Sequence, residues 1–391
     1  MDIEIIPKQL SGKADAPCSK SAAHRALICA AFAGGISVLE IGELSEDLKA
    51  TVNCLERIGT KIKLDEGKAT VTPSEKYPEK AEFDCGESGS TLRFFICIAA
   101  ALGIEATFNV HGRLAERPNE ILFAVLRKHG VKISRDFPVK MSGKLESGNY
   151  EIAGNVSSQY VTGLLFALNL LNSESVLTVT EPVESEKYID LTLGVMKDFG
   201  VEIKKEKNIF KINPQKFSAK NYEIEGDWTN GAVLLALGAD VKNLSEKSLQ
   251  GDRIFKEIFE IFPSGIDAKN IPDLVPLLAV LAAAKTGTYK IYNAYRLRFK
   301  ESDRIKSTVK TVNGLGGEAV ETEDGLTVYG KGCLRGGTVD SFGDHRIVMA
   351  AAVAAQFCTE KVIIKNAEAV NKSFPKFFEI YNSLGGAANV V

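Results

Sequence analysis

The residues best able to do chemistry stand at the openings of apolar segments. Cys18-Ser19-Lys20-Ser21-Ala22-Ala23-His24-Arg25 leads straight into Ala26-Leu27-Ile28-Cys29-Ala30-Ala31-Phe32. Lys20, Ser21 and Arg25 therefore sit at the mouth of a helix, where unpaired backbone N–H groups and aligned peptide dipoles already favour an anion. The arrangement recurs at Glu87-Ser88-Gly89-Ser90-Thr91-Leu92-Arg93, Ser157-Ser158-Gln159-Tyr160, Asp227-Trp228-Thr229-Asn230, Pro272-Asp273-Leu274 and Gly343-Asp344-His345-Arg346. About ten mostly apolar residues follow each opening, the pattern of a helix buried on all sides. Openings converging on one place would suit a ligand with several negative charges. Two loops add cations: His111-Gly112-Arg113-Leu114-Ala115-Glu116-Arg117-Pro118, and Arg296-Leu297-Arg298-Phe299-Lys300-Glu301-Ser302-Asp303-Arg304. Planar guanidinium groups suit bidentate capture of carboxylate or phosphate. Asp273 and Glu301 are the acid/base candidates, because surrounding cations would hold each in a defined ionisation state.

Every one of these residues also has an ordinary reading. Ser, Asp or Glu at a helix start can be a cap and nothing more. Lys20 and Arg25 can be surface charges on a helix that is otherwise buried, and Glu301 with Arg304 can be an i, i+3 ion pair. His24 and His345 can be core or rim histidines, and the four histidines show no metal-ligand spacing. No G-x-S-x-G, Walker A or G-x-G-x-x-G context is present. The case for a site rests on the common placement of these residues in a repeated frame.

That frame is marked by glycines expected just past helix ends, where a left-handed backbone is needed: Gly59, Gly130, Gly200, Gly265, Gly316 and Gly385. They are about 71, 70, 65, 51 and 69 residues apart. Hairpin patterns follow them, as in Lys61-Ile62-Lys63-Leu64 with Ala69-Thr70-Val71, Val201-Glu202-Ile203 with Phe210-Lys211-Ile212, and Glu318-Ala319-Val320 with Leu326-Thr327-Val328. The expected fold is α/β, six repeated units each made of strand, helix, strand, helix and hairpin, three per domain. From Gly265 to Asp273 there are only about 8 residues, against about 27–28 in the comparable stretches, so the unit near 227–273 is expected to lack its hairpin. If Asp2 to Ile6 supplies a strand to the last unit, the two termini meet in one domain. The expected domains are 1–12 plus 226–391, and 13–225.

The chain has 391 residues, more than one core usually holds, and a net charge of −2 without Lys/Arg blocks. Neither nucleic acid nor an anionic membrane is an expected partner. Seven scattered cysteines without C-x-x-C spacing read as reduced thiols of a cytoplasmic protein. The N-terminus alternates like a strand and lacks the apolar core of a signal peptide. A monomer is expected, since no conspicuous apolar surface stripe appears.

Taken together, Ser19-Lys20-Ser21 with Arg25, Gly89 with Arg93, Glu116-Arg117-Pro118, Ser157-Ser158-Gln159, Ser185 with Tyr188-Ile189-Asp190, Gln250-Gly251-Asp252, Pro272-Asp273, Lys300-Glu301-Ser302-Asp303-Arg304, Asp344-His345-Arg346 and Lys372-Ser373-Phe374-Pro375 cover nearly the whole chain. In this ordered set the sequence resembles the 5-enolpyruvylshikimate-3-phosphate synthase family. The resemblance implies a two-domain enolpyruvyl transferase fold of βαβαββ units with the active site in the cleft between domains. It also implies transfer of the enolpyruvyl group of phosphoenolpyruvate to the 5-hydroxyl of shikimate 3-phosphate, with release of phosphate and without metal or other cofactor.

By the same resemblance, Lys20, Ser21, Arg25, Ser157, Ser158, Gln159, Ser185, Asp273 and Lys300 would hold shikimate 3-phosphate. Lys20, Gly89, Arg117, Arg304, Arg346 and Lys372 would hold phosphoenolpyruvate, with Arg93, His345 and Glu87 as further possible site residues. Asp273 would take the hydroxyl proton. Glu301 would protonate the methylene carbon and later remove a proton from the methyl group so formed, with Lys20 and Lys372 assisting at the leaving phosphate. The chain departs from the family pattern at Glu87-Ser88-Gly89-Ser90, where many members carry Asn-Ala-Gly-Thr, which places a carboxylate near the phosphoenolpyruvate pocket as a helix cap or as the partner of a cation. The sister family acting on UDP-N-acetylglucosamine typically has Lys-Asn at its first helix and a reactive cysteine in a mobile loop. Here Ser21 follows Lys20, and residues 111–118 contain no cysteine. A non-catalytic binder of phosphorylated metabolites is the alternative from another class.

Overall fold

The computed structural model describes residues 1–391. The chain divides into two compact units, Met1–Pro17 with Glu225–Val391, and Cys18–Ile224, each around its own apolar core.

In the Cys18–Ile224 unit, the helices Lys20–Ala31, Gly89–Leu102 and Ser158–Asn169 have no polar stripe and are buried almost throughout. Such helices are stable only inside a core. Three four-stranded sheets accompany them, each with two parallel strands followed by an antiparallel hairpin. Lys80–Asp84 lies beside Glu105–Asn109, then Val139–Gly143 and Val131–Ile133. Asn149–Ala153 lies beside Ser175–Thr180, then Ile209–Ile212 and Lys204–Glu206. Asn221–Glu223, from the far end of the unit, lies beside Ser37–Glu40, then Lys68–Thr72 and Lys61–Asp65. Parallel neighbours require a crossover, and a buried helix such as Gly89–Leu102 supplies it. Val201–Ile203 is not the hairpin strand that the alternation suggests. Val201 and Ile203 are buried, and the Glu202 amide is held by the Gln215 side chain, so pairing begins only at Lys204.

The other unit has two sheets of the same form. Gly265–Asp267 runs parallel to Thr286–Tyr292, followed by Gly325–Lys331 and Ala319–Thr322. Gly337–Asp340 runs parallel to Val362–Lys365, and Ile3–Ile5 then lies antiparallel between Val362–Lys365 and Ala388–Val390. Both chain ends thus belong to one sheet. A third pair, Gly12–Ala14 with Ala239–Val241, carries no hairpin. A short helix, Phe255–Ile261, follows it and leaves Ile254, Phe259 and Ile261 exposed. Gly265 does not close this helix, because it opens a strand. The left-handed position falls instead to Phe262, at φ 37°, whose buried ring packs against Tyr289. Burying an aromatic ring offsets the cost of that backbone conformation.

At the ends of the amphipathic helices, Gly59, Gly130, Gly200, Gly316 and Gly385 all have φ between 83° and 94°. No helix is long and apolar enough to cross a membrane, and the cysteines form no disulfide.

Packing between two of the buried helices depends on Gly163. A Cβ there would lie 2.6 Å from the Arg93 carbonyl oxygen and 2.9 Å from Cys97 Sγ. Gly163→Ala should lower the urea unfolding free energy by about 1–3 kcal/mol through overpacking. An unchanged midpoint would show that the helices can separate without cost.

Candidate active site

In the Cys18–Ile224 unit, serines cap all three buried helices. Ser19 Oγ accepts from the Ala22 amide at 3.4 Å, Ser88 Oγ from the Thr91 amide at 3.3 Å, and Ser157 Oγ from the Gln159 amide at 3.3 Å. Capping accounts for these serines and leaves the neighbouring cations to be explained. Lys20 Nζ lies 2.7 Å from Asp47 Oδ2, both largely buried. Asp47 stands in the first turn of Glu46–Arg57, where an acid favours the helix anyway, so nothing in the sequence singles it out.

Arg25 is buried, not a surface charge. Its Nε donates to Thr192 Oγ1 at 2.8 Å, Nη1 to the Ser21 carbonyl at 2.6 Å, and Nη2 to the Tyr188 carbonyl at 3.1 Å and Thr162 Oγ1 at 3.3 Å. These partners are all neutral oxygens, and burial pulls the guanidinium pKa down to about 10. An anion placed against it would restore the lost stabilisation of its charge. Ser185, buried and left-handed at φ 56°, caps no helix amide with its side chain.

Arg93 ties two helix starts to the loop before Glu120–Lys128. It donates to Asn119 Oδ1 and the Pro118 carbonyl, each at 3.2 Å, and to Gln159 Oε1, while its guanidinium lies 5.3 Å from the Tyr160 ring centroid. Gln159 Nε2 in turn donates to Ser90 Oγ at 2.9 Å. A Cβ at Gly89 would stand 3.0 Å from Arg117 Nη1 and 3.1 Å from Arg93 Nη1. Two guanidinium groups therefore crowd a helix N-terminus, and a side chain at position 89 would have to push them aside by a few tenths of an ångström. Glu87 does not cap this helix, since Ser88 does. Its carboxylate occupies the space that a side chain at Gly112 would need, against the Gly112–Glu116 turn that leads to Arg117. Ser158 is buried at its helix start. His24 is a core histidine: Nδ1 lies 2.7 Å from Thr51 Oγ1, and burial, with Lys20 and Arg25 nearby, pushes its pKa well below the usual value.

The unit formed by Met1–Pro17 and Glu225–Val391 is organised differently. Arg304, 1% exposed, is enclosed by three carboxylates. Nη1 reaches Asp273 Oδ1 at 2.7 Å, Nη2 reaches Glu301 Oε2 at 2.6 Å, and Nε reaches Asp344 Oδ2 at 2.9 Å. Glu301 precedes the Arg304–Gly314 helix, so this contact is not an exposed helix-surface pair. Asp344, fully buried, also accepts from Ser302 Oγ at 3.1 Å and from the Arg346 amide at 2.9 Å, which caps the His345–Ala354 helix. Around Asp273 stand Lys300 Nζ at 3.8 Å and Arg346 Nη2 at 3.6 Å. Arg346 Nη1 donates to Asn230 Oδ1 at 2.9 Å. Burial alone would raise the Asp273 pKa, but Lys300, Arg304 and Arg346 together hold it far below the ordinary carboxylate range. Burial likewise opposes the charge on Arg304, and Asp344, Glu301 and Asp273 keep it protonated.

His345 is buried, with Nδ1 3.9 Å from Asp344 Oδ1. Lys372 Nζ donates to the Gly343 carbonyl at 2.9 Å, just before the Asp344 cap. Asp344, Ser302 and Asn230 lie within motifs visible in the sequence, but their partners are 40, 42 and 116 residues away, beyond any local pattern.

Comparison with known proteins decides the family. The model of EPSP synthase (3-phosphoshikimate 1-carboxyvinyltransferase) matches residues 5–262 and 232–381. The chain belongs to the EPSP synthase family. The 3-phosphoshikimate 1-carboxyvinyltransferase of Clostridium novyi (strain NT) is 40% identical to it, over 98% of each chain. That of Clostridium kluyveri is also 40% identical, over 98% of this chain and 97% of its own. An EPSP synthase structure from Acinetobacter baumannii, 24% identical, has the same fold at TM-score 0.83, with both chains fully covered. The alignments with the clostridial EPSP synthases extend over 425 and 415 residues, more than the 391 present here, so those relatives carry stretches that this chain lacks.

Removing one carboxylate from around Arg304 leaves buried charge less compensated. Asp344→Ala should lower stability by about 3–5 kcal/mol in urea titration. A loss no larger than that of an exposed substitution would mean that Arg304 is not held as described.

Proposed function

We propose that the two sets of residues described above serve one reaction, transfer of the enolpyruvyl group of phosphoenolpyruvate to the 5-hydroxyl of shikimate 3-phosphate with release of phosphate. The family to which the chain belongs catalyses this transfer, a step of the shikimate pathway. Arg304, holding Asp273, Glu301 and Asp344 beside Lys300 and Arg346, is the observation that carries the assignment of roles.

Both substrates carry a phosphate and a carboxylate, so they repel one another unless fixed cations and helix dipoles compensate. Arg25, buried among neutral oxygens, with Lys20, Ser21, Ser157, Ser158, Gln159, Ser185 and Lys300, receives shikimate 3-phosphate. Gly89, Arg117, Arg304, Arg346, Lys372 and Lys20 receive phosphoenolpyruvate. Asp273 takes the proton of the 5-hydroxyl as its oxygen attacks the second carbon of phosphoenolpyruvate, and Glu301 delivers a proton to the methylene carbon. Loss of one methyl proton to Glu301 and departure of phosphate, assisted by Lys20 and Lys372, then restore the double bond.

A carboxylate as strongly stabilised as Asp273 is a weak base. The groups that stabilise it are the same cations assigned to the anionic substrates. As substrate anions share Lys300, Arg304 and Arg346, the hold on Asp273 relaxes and its basicity rises toward the ordinary carboxylate value. Substrate binding thus prepares the base. The protein is further proposed to act as a cytoplasmic monomer.

Phosphate release from phosphoenolpyruvate, measured with shikimate 3-phosphate and in parallel with UDP-N-acetylglucosamine, tests the reaction. Release is expected only with the former. Release only with the nucleotide sugar, or with neither, would refute the proposal. Asp273→Asn should reduce kcat by about 10²–10⁴-fold while KM for phosphoenolpyruvate changes by less than about tenfold. Full turnover in that variant would remove Asp273 as the base.

A further inference from the structure

One buried carboxylate beside this cluster has no role in the reaction as set out above. Asp252, 2% exposed, stands in the Gly251–Ile254 turn. Its Oδ2 accepts a hydrogen bond from Thr229 Oγ1, in the first turn of Trp228–Ala236, while its Oδ1 is fully buried and has no hydrogen-bond partner. The turn is fixed from both sides by Gln250, whose Oε1 accepts from the Trp228 amide and whose Nε2 donates to the Gly226 carbonyl, each at 2.9 Å. Gln250-Gly251-Asp252 is one of the motifs behind the family resemblance, which gives Asp252 no role of its own.

We propose that Asp252 is a positioning residue for the transfer reaction: it carries a proton while Asp273 is ionised, and its own ionisation reduces the share of the Arg346 charge left for phosphoenolpyruvate. This rests on the assignment of Arg346 to phosphoenolpyruvate made above.

Three charged groups act on Asp252: Asp273 before the Val275–Ala283 helix, Arg346 in the His345–Ala354 helix, and Asp227 at the cap of Trp228–Ala236. Burial pushes the Asp252 carboxyl up, the Asp273 charge pushes the same way, Thr229 and Arg346 oppose, and Asp227 adds to the rise, leaving it at about 7. The half-satisfied geometry points in the same direction, because a buried carboxylate oxygen without a donor favours the neutral acid. Arg346 faces Asp273 at 3.6 Å, and its Nη1 donates at 2.9 Å to Oδ1 of Asn230, the neighbour of the Thr229 that holds Asp252. With Asp252 protonated, the guanidinium serves one carboxylate and retains attraction for an anionic ligand. With Asp252 ionised, two carboxylates draw on the same cation, and the anion binds less well.

The test uses the full chain, with Asp252→Asn, which keeps the shape of the neutral acid, and Thr229→Val, which removes the donor to the ionised form. In the ligand-free protein, infrared titration from about pH 5.5 to about pH 8.5 should show one buried carboxylic-acid band fading with a midpoint near 7. That band should be missing in Asp252→Asn and shifted to higher pH in Thr229→Val. The ratio of wild-type to Asp252→Asn KM for phosphoenolpyruvate should rise from about 1 at pH 6 to about five- to tenfold at pH 8, the substrate's own ionisation cancelling in the ratio. A band that survives in Asp252→Asn, no band at all, or a ratio independent of pH would each overturn the proposal, the last being what a purely structural role gives. Failure of the reaction reading is seen separately, as absence of phosphate release by the unsubstituted chain.

Discussion

The buried charge of Arg304 is the constraint on which the unit formed by Met1–Pro17 and Glu225–Val391 depends. A guanidinium that is 1% exposed cannot stay ionised without close anionic partners, and three carboxylates from separate segments provide them. Asp344 ties Arg304 to the start of the His345–Ala354 helix, so the charge cluster and the helix cap are one structure. Asp273 and Glu301 are the two members of the cluster that remain partly accessible, at 21% and 17% side-chain exposure. They are therefore the two carboxylates that reach solvent while Arg304 holds them in place.

The repeated frame explains how such groups come to be placed. Five of the six buried helices cap the first turn with a Ser or Asp side chain, the exception being Val275–Ala283, and cations stand near these openings. In the Cys18–Ile224 unit this leaves Arg25 among neutral oxygens and crowds Arg93 and Arg117 at Gly89. The same helices form the cores of their units, so the stability of the fold and the placing of its cations have a single origin. Loss of the hairpin after Ala239–Val241 leaves Asp273 in place, because that residue precedes a helix built into the core of its own unit.

Much of this was legible in the sequence because it is periodic. Apolar helices, glycine-closed helices and hairpins repeat at related spacings, and Lys20, Arg25, Asp273, Glu301, Arg304 and Arg346 stand out against that background. What escaped is set by partners distant along the chain. Asp47 looks like an acid favoured at any helix start until Lys20, 27 residues away, is found against it. Thr192 is invisible as a partner of Arg25, 167 residues earlier. Gly265 reads in the sequence as a helix end because glycine both ends helices and opens strands, and only the burial of Phe262 decides which residue takes the left-handed position. Glu87 reads in the sequence as a cap or as the partner of a cation, and its neighbour Ser88 performs the capping.

The claim that Glu301 handles the proton at carbon, with Arg304 fixing it, is tested most directly by running the reaction in deuterium oxide and examining the methylene group of the product. Wild-type enzyme should place deuterium there at the rate of turnover, whereas Glu301→Gln should bind both substrates and incorporate deuterium at least about 10²-fold more slowly. Undiminished incorporation by Glu301→Gln would contradict this account and move the acid to another residue.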